Sequence, residues 1–170
     1  SDSLHLNQSS GLIKMLKLPL SRKENQILTE SQKNARNPIL WFGKSQMSGN
    51  KIFLTSNMKN QKLDSLKIIG NSWIIEKDSL SETGFNQIKG GLLDGLFEDG
   101  ELTEIDITKN TEVIYYRYSD EDNELIGIDK TTCSSLKMIT KDNQIDDITF
   151  FVSPDGHLLP EKDLPLNERK

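Results

Sequence analysis

The chain has 170 residues, enough for one domain or for one domain with an extension. Its apolar fraction of 34% is low, which predicts the thin core of an elongated sheet structure. The net charge of −5 at pH 7 argues against nucleic acid as a partner, because that affinity comes largely from cationic contacts to phosphate. No apolar stretch approaches the ~20 residues that a membrane-spanning helix needs.

Strand patterns dominate the chain from its beginning. Alternating apolar and polar residues, typical of half-buried strands, occur at 4–6, 51–55, 105–108 and 136–139. The β-branched and aromatic run from Val113 to Tyr118 predicts a further strand. The polar segment from Ser21 to Ala35 fits either a helix or a long loop. Since the sequence opens directly in a strand-like pattern, we expect a leader or an upstream segment to precede Ser1.

Turn signals separate these runs at short intervals. They lie at 48–50, 57–61, 70–71, 98–100, 109–110, 142–143 and 154–156. Short strands between frequent turns predict an all-β structure. After Pro160 the chain is rich in charges, and we predict a flexible tail over 161–170.

One pattern returns three times along the chain. From a first apolar residue, two more follow at +3 and +5, and a turn residue follows at +8. The copies begin at Leu63, Leu102 and Ile145, and a worn fourth copy precedes them around Asn37. The four turn positions, Asn37, Asn71, Asn110 and Ser153, are 34, 39 and 43 residues apart by subtraction. Such a period predicts stacked units, and a repeated β-unit is more often a binding surface than a catalyst.

The +3 and +5 residues of each copy lie on one side of a strand, because side chains alternate with period two. We therefore predict a column of inward-facing pairs along the domain: Leu66 and Ile68, Ile105 and Ile107, Ile148 and Phe150. Their outward neighbours Lys67, Asp106 and Thr149 are polar. The pattern thus indicates a sheet with one apolar side.

The residues that most often carry catalysis lack a suitable setting here. His5 and His157 have no neighbouring group that would orient a catalytic base. Cys133, the only cysteine, lies among neutral hydroxyl residues, which favours a buried structural thiol over a nucleophile. We therefore predict that the protein is not an enzyme.

Two segments resemble ligand motifs only in part. The glycines of 90–95 lack the Gly-Lys-Ser/Thr ending of a phosphate loop, which favours a bend between strands. The acidic run 120–124 resembles the start of a calcium loop, but Leu125 and Thr131 occupy the positions that require Gly and Glu. We predict an acidic hairpin there, and neither a metal nor a cofactor for the chain.

The aromatic residues in or beside the repeat strands allow two interpretations. They fill an ordinary core, or some of them line an open groove for an apolar ligand. They are Trp41, Phe42, Trp73, Tyr115, Tyr116, Phe150 and Phe151.

Several segments, in this order, resemble OstA-like proteins of the organic-solvent-tolerance and lipopolysaccharide-transport (LptA-like) superfamily. They are Ala-Arg-Asn-Pro-Ile-Leu-Trp-Phe at 35–42, Ser-Gln-Met-Ser-Gly-Asn at 45–50, Gly-Phe-Asn-Gln-Ile-Lys-Gly at 84–90, Asn-Glu-Leu-Ile-Gly-Ile-Asp-Lys at 123–130, Asp-Ile-Thr-Phe-Phe at 147–151 and Pro-Asp-Gly at 154–156. The resemblance covers residues 35–160. It divides the chain into an N-terminal part with one or more strands and a polar loop or helix at 1–34, the repeat domain at 35–160, and the tail at 161–170.

The resemblance implies an open β-jellyroll made of V-shaped, stacked antiparallel strand pairs, whose apolar interior holds lipid acyl chains. It implies the periplasm of a Gram-negative bacterium as the location. It also implies lipopolysaccharide or lipid A as ligand, and other jellyroll proteins or further copies of the chain as partners through edge strands. Because the net charge is negative, the acyl chains rather than the headgroups should supply the affinity.

From this we expect an apolar groove that binds acyl chains and a protein that bridges envelope components. The predicted groove lining is Leu66, Ile68, Trp73, Ile105, Ile107, Val113, Met138, Ile148 and Phe150. The alternative is an envelope scaffold that binds no lipid, in which the same residues form a closed core and the strand edges recruit other proteins.

Overall fold

A computed structural model of the protein describes residues 2–141, 144–165 and 168, and the turn predicted at 142–143 lies outside them. Eleven strands make the protein almost entirely β, as predicted. They are β1 (Ser3–Asn7), β2 (Leu12–Leu16), β3 (Ile39–Phe42), β4 (Ser45–Ser48), β5 (Lys51–Ser56), β6 (Leu63–Lys77), β7 (Phe85–Glu98), β8 (Glu101–Tyr118), β9 (Leu125–Lys141), β10 (Gln144–Phe151) and β11 (Asp155–Leu159).

These strands form a single open antiparallel sheet. Its order is β1-β2-β5-β6-β7-β8-β9-β10. Two pairings depart from this path: β4 adds to β6 and carries β3, and β11 adds to β9. Since β1 and β10 do not pair with each other, the sheet does not close, which confirms the predicted open jellyroll-like class.

The long strands each belong to two arms of the sheet. We call the first arm the part that contains β1, β2, β5, β10 and residues 63–69, 91–98, 101–108 and 135–141 of β6–β9. The second arm contains β3, β4, β11 and residues 72–77, 85–90, 111–118 and 125–133. The arms face each other, because apolar side chains from both form one buried cluster.

The bend between the arms lies at the predicted turn positions. Gly70 and Asn71 in β6 have φ of 77° and 51°, and Lys109 and Asn110 in β8 have 72° and 56°. The sequence predicted turns between separate strands at Asn71 and Asn110, and the structure corrects this. Each long strand continues through its bend because both of its halves are hydrogen-bonded to neighbours. Left-handed backbone suits Gly and Asn best, which explains Gly70, Asn71 and Asn110 at the bend but not Lys109.

Unlike the long strands, β10 ends at the bend. Ser153 has φ 53°, and there the chain leaves β10 and enters β11. Asn37, in the worn copy, is not among the described residues with left-handed backbone. The bend therefore uses three of the four predicted turn positions.

The repeat unit is a pair of antiparallel strands, so its copies occupy every second strand. Two apolar rows cross the first arm, and the members of each row are register partners on neighbouring strands. One row contains Leu54, Leu66, Gly95, Ile105, Met138 and Ile148. The other contains Ile52, Ile68, Leu93, Ile107, Leu136 and Phe150. The predicted column of inward-facing pairs is confirmed, with β7 and β9 inserted between its members.

Two short helices occupy the polar segment between β2 and β3. They are α1 (Arg22–Ile27) and α2 (Glu30–Asn34), and neither contains a buried residue. Ser21 with Glu24, and Thr29 with Gln32, form reciprocal capping boxes at their N-termini. Local capping rather than a packed face therefore defines these helices. Among the described helices none is both long and apolar enough to cross a membrane.

The described part of the C-terminal segment lies against the outer face of the second arm. A 3-10 helix spans Glu161–Asp163, and Leu164 is buried with Ile114, Tyr116 and Ile128. The backbone carbonyl of Glu168 accepts a 2.7 Å hydrogen bond from Gln87 Nε2, and its carboxylate pairs with Lys130 at 2.7 Å. The sequence predicted a flexible tail from 161. The structure places Leu164 in a small second core instead, while positions 166, 167, 169 and 170 lie outside the described residues.

We expect Leu164→Ala to lower the free energy of unfolding by about 2–3 kcal/mol, because it empties a site that is only 1% exposed. Urea unfolding followed by circular dichroism measures this loss. The matched control is Leu158→Ala in β11, whose side chain is 52% exposed, and we expect a change within about 0.5 kcal/mol. A Leu164→Ala loss as small as the one expected for Leu158→Ala would show that the C-terminal contact contributes no stability.

Candidate functional site

The candidate site is the apolar space between the two arms, which we call the arm interior. Six of the nine predicted lining residues meet there and are at most 2% exposed: Leu66, Ile68, Ile105, Ile107, Val113 and Met138. Ile148 and Phe150 are half-buried and pack against the same cluster from β10. Eight of the nine predicted residues therefore lie together in the arm interior.

Trp73 lies elsewhere. Its neighbour Ile74 belongs to the buried cluster, so alternation along β6 turns the Trp73 side chain to the outer face of the second arm. There its ring lies 5.8 Å from Lys89 Nζ. The structure thus does not bring Trp73 to the arm interior.

The arm interior is filled by the protein's own side chains near the bend. It retains a cavity of about 30 Å³ at the opposite end, away from the bend, between residues of both arms. We call this end the mouth. A space of this size holds one or two water molecules, so an acyl chain requires the arms to separate at the mouth.

The mouth is lined by residues from both arms. Phe42 and Ile74 come from the second arm, whereas Leu102, Met138 and Ile145 come from the first. The rings of Phe42 and Phe97 meet edge to face across the gap, with centroids 5.4 Å apart. Such an aromatic contact is worth about 0.5–1.5 kcal/mol beyond its buried area, so it adds to the apolar packing that holds the mouth closed.

Polar groups at the mouth are paired within the protein. The Ser45 hydroxyl donates to the Glu76 carboxylate at 2.5 Å, and the Thr140 hydroxyl donates to the Leu102 carbonyl. The Asn86 side-chain oxygen accepts from the Tyr116 amide at 2.9 Å. With these groups satisfied, the surface that remains for a ligand at the mouth is mainly apolar.

Several residues that line the mouth were not among the lining residues predicted from the sequence. Leu102 and Ile145 are the first residues of the second and third repeat copies, so the repeat itself contained a signal for them. Ile74 lies in the first copy, in the apolar run after its turn residue, whereas Met47 and Ile88 belong to no copy. They reach the interior because the second arm folds over the first, which local alternation does not reveal.

The groups considered for catalysis lie apart from this site. His5 and His157 are exposed, and His157 Nε2 lies 3.5 Å from the exposed carboxylate of Asp155. Cys133 is buried, and this burial raises the pKa of its thiol. No cluster of three or more His, Cys, Asp or Glu side chains within the described ranges has a geometry that fits a metal ion.

The acidic run that resembled a calcium loop forms the turn between β8 and β9. Asp122 Oδ1 accepts a 3.1 Å hydrogen bond from the backbone N–H of Glu124. This bond, with one from Ser119, lowers the pKa of the Asp122 carboxyl. The carboxylate thus has a local structural role in the turn.

The sheet presents unpaired edges at both arms. In the described part of the chain, β1 and β10 are the outer strands of the first arm, and β3 and β11 are those of the second. Leu4 and Leu6 on β1 and Trp41 on β3 are each at least 60% exposed. Exposed backbone groups beside apolar side chains favour pairing with another strand.

Comparison with known proteins adds no family assignment. No family model matches the chain, and comparisons with curated proteins and with solved structures gave no match. The resemblance to OstA-like proteins therefore rests on the sequence motifs, and the function is argued from the geometry.

Proposed function

We propose that this protein binds the acyl chains of an amphiphile such as lipopolysaccharide or lipid A between its two arms. The observation that carries the proposal is the pair of apolar rows that cross the first arm from β5 to β10 and face the second arm. These rows give the arm interior one continuous apolar side along the sheet. The motif resemblance adds the periplasm of a Gram-negative bacterium as the location.

The acyl chain enters at the mouth in this proposal. Transfer of each methylene from water to an apolar site contributes about 0.8 kcal/mol, so a chain of ten or more carbons supplies several kcal/mol. Part of this energy is spent on separating the arms, since the present cavity is too small. The half-buried Ile145 makes the mouth the part of the interior that lies nearest to the surface, so we place the entry of the chain there. The result is useful but reversible binding.

The test is native mass spectrometry of the protein with and without lipid A. We expect a stoichiometric adduct. Ile145→Glu should weaken lipid A binding at least about tenfold, because the substitution places a carboxylate against the acyl chain at the mouth and removes apolar contact. Ile145 is half-buried, so the variant should remain folded.

The matched control is Ile126→Glu at the start of β9, where the side chain is 60% exposed and away from the mouth. Its adduct should equal that of the unmodified protein. Undiminished lipid A binding by a folded Ile145→Glu variant would contradict binding at the mouth.

The second candidate is an envelope scaffold that binds no lipid and associates through strand edges. The observation that favours it is the filled interior near the bend together with exposed apolar residues on the edge strands β1 and β3. In this case the same mass spectra show no lipid adduct but show oligomers whose abundance rises with protein concentration. The edge pairing is compatible with either function, whereas the lipid adduct separates them.

A further inference from the structure

A second cavity lies outside the arm interior, between α2 and the outer face of the second arm at the bend. We call it the α2 groove. Its volume is about 830 Å³, in the range of sites that bind small molecules. Glu30 and Asn34 of α2 form one wall, while Ser48, Trp73 and Lys109 contribute from the sheet. The groove and the arm interior lie on opposite faces of the sheet, so a ligand of one does not contact the other.

Trp73 supplies a half-buried aromatic surface in this groove. Lys89, in the neighbouring strand, holds its ammonium group 5.8 Å from the ring centroid and 3.4 Å from the Glu112 carboxylate. The indole N–H has no acceptor among the described residues. A half-buried indole beside polar groups is a surface on which a ring with both apolar and polar edges packs well.

Lys109 brings a second positive charge to the groove. Its backbone has φ 72°, and it is exposed with no ion pair among the described residues. Gly91 permits its position, because a Cβ atom at Gly91 would lie 2.8 Å from the Cβ of Lys109. Lys89 is already paired with Glu112, and Glu30 with Lys33 at 2.7 Å, so Lys109 is the cation that remains for a ligand.

Side-chain amides surround these two residues. Asn71 and Asn110 line the groove at the bend, where both have left-handed backbone, and Asn34 faces them from α2. Each amide offers both donors and an acceptor. Neighbouring amides therefore match a ligand that carries several hydroxyl groups.

This combination points to one class of ligand. A purely apolar ligand would leave the amides unpaired, which is costly. The groove offers no free carboxylate to a metal ion, since Glu30 is the only acidic residue of the described lining and is paired with Lys33. We propose that the α2 groove binds an acidic saccharide. Its sugar ring packs on Trp73, its hydroxyls pair with the amides, and its carboxylate or phosphate binds Lys109.

The test uses Trp73 as a fluorescent reporter. In the Trp41→Phe background Trp73 is the only tryptophan, since the chain has two. The protein is titrated with trigalacturonate, with glucose 6-phosphate and with neutral maltotriose. We expect saturable fluorescence changes with one or both acidic sugars and at least tenfold weaker binding of maltotriose. Comparing trigalacturonate with glucose 6-phosphate decides whether the acidic group is a carboxylate or a phosphate.

Two variants locate the binding. Lys109→Gln should weaken the binding of acidic saccharides at least fivefold. Lys77 is an exposed lysine of β6 outside the groove, so Lys77→Gln should leave this binding unchanged. Ser31→Phe fills the groove from the exposed surface of α2 without touching the sheet core, and should abolish binding. Its control is Ser79→Phe, at an exposed position after β6.

The proposal is overturned if no sugar of the panel binds, if maltotriose binds as tightly as the acidic sugars, or if Lys109→Gln and Ser31→Phe leave binding unchanged. The result is independent of the acyl-chain proposal, because Ser31→Phe leaves the mouth intact and should still form the lipid A adduct.

Discussion

Ile107→Asp should abolish the cooperatively folded state. Ile107 is 1% exposed and lies between Leu93 and Leu136 in one of the two apolar rows. The change removes a buried aliphatic side chain and places a carboxylate in a site without a partner. We expect a loss of about 4 kcal/mol or more, close to the whole stability of a typical domain. Circular dichroism and urea unfolding measure the loss.

The control for this prediction is Ile69→Asp. Ile69 follows the inward-facing Ile68 on β6, lies on the outer face and is 39% exposed. The free energy of unfolding of this variant should lie within about 1 kcal/mol of that of the unmodified protein. A fully folded, equally stable Ile107→Asp protein would mean that the two arms do not pack on each other at this row.

The structure also changes how lipid binding has to be tested. From the sequence, Ile107 was predicted to line an accessible groove, so that Ile107→Asp would weaken lipid binding in a folded protein. In the structure Ile107 is packed on all sides near the bend, and lipid binding lost in this variant would report unfolding. Ile145 at the mouth separates the two effects, because it is half-buried and lines the cavity.

Gly90→Val should destabilise the protein by about 3 kcal/mol, because the bend leaves no space for a side chain there. A Cβ atom at Gly90 would lie 2.4 Å from Ile107 Cγ2 and 3.2 Å from the Thr108 carbonyl oxygen. The neighbouring backbone is held in place, since the Ser72 hydroxyl donates to the Gly90 carbonyl at 2.9 Å. The chain therefore has to shift rather than one flexible side chain, and overpacking of this kind is costly. Thermal and urea unfolding measure the effect.

The matched variant for Gly90→Val is Leu96→Val, which also introduces valine into β7 but at a side chain that is 53% exposed. We expect a change within about 0.5 kcal/mol. If the two variants have the same stability, the close contact of β7 with Ile107 is not part of the folded protein.

Several features of the fold follow from the sequence because they depend on neighbours along the chain. The +3 and +5 apolar positions predict Leu66 with Ile68 and Ile105 with Ile107 as inward pairs, since alternation is a property of any strand. The +8 residues Asn71 and Asn110 mark the bend, because left-handed backbone favours asparagine. The register then aligns the pairs into rows, as the sequence predicted.

Other features depend on contacts between residues that are far apart in the chain. Phe42 meets Phe97 only because the second arm folds over the first, so the mouth is not apparent from either strand. A bend and a turn also have the same local signal. The sequence therefore predicted strand ends at Asn71 and Asn110, whereas pairing on both sides continues each strand.

The sequence by itself determined an all-β structure with one apolar side and the left-handed positions Asn71 and Asn110, because these depend on neighbours along the chain. Only the tertiary structure decided which apolar residues are sealed and which remain near a surface. Ile107 is enclosed, Ile145 lines the mouth, and Trp73 lies on the outer face beside α2. The physical reason is that alternation assigns each side chain to a face of the sheet, while packing of the second arm and of α2 decides what covers that face.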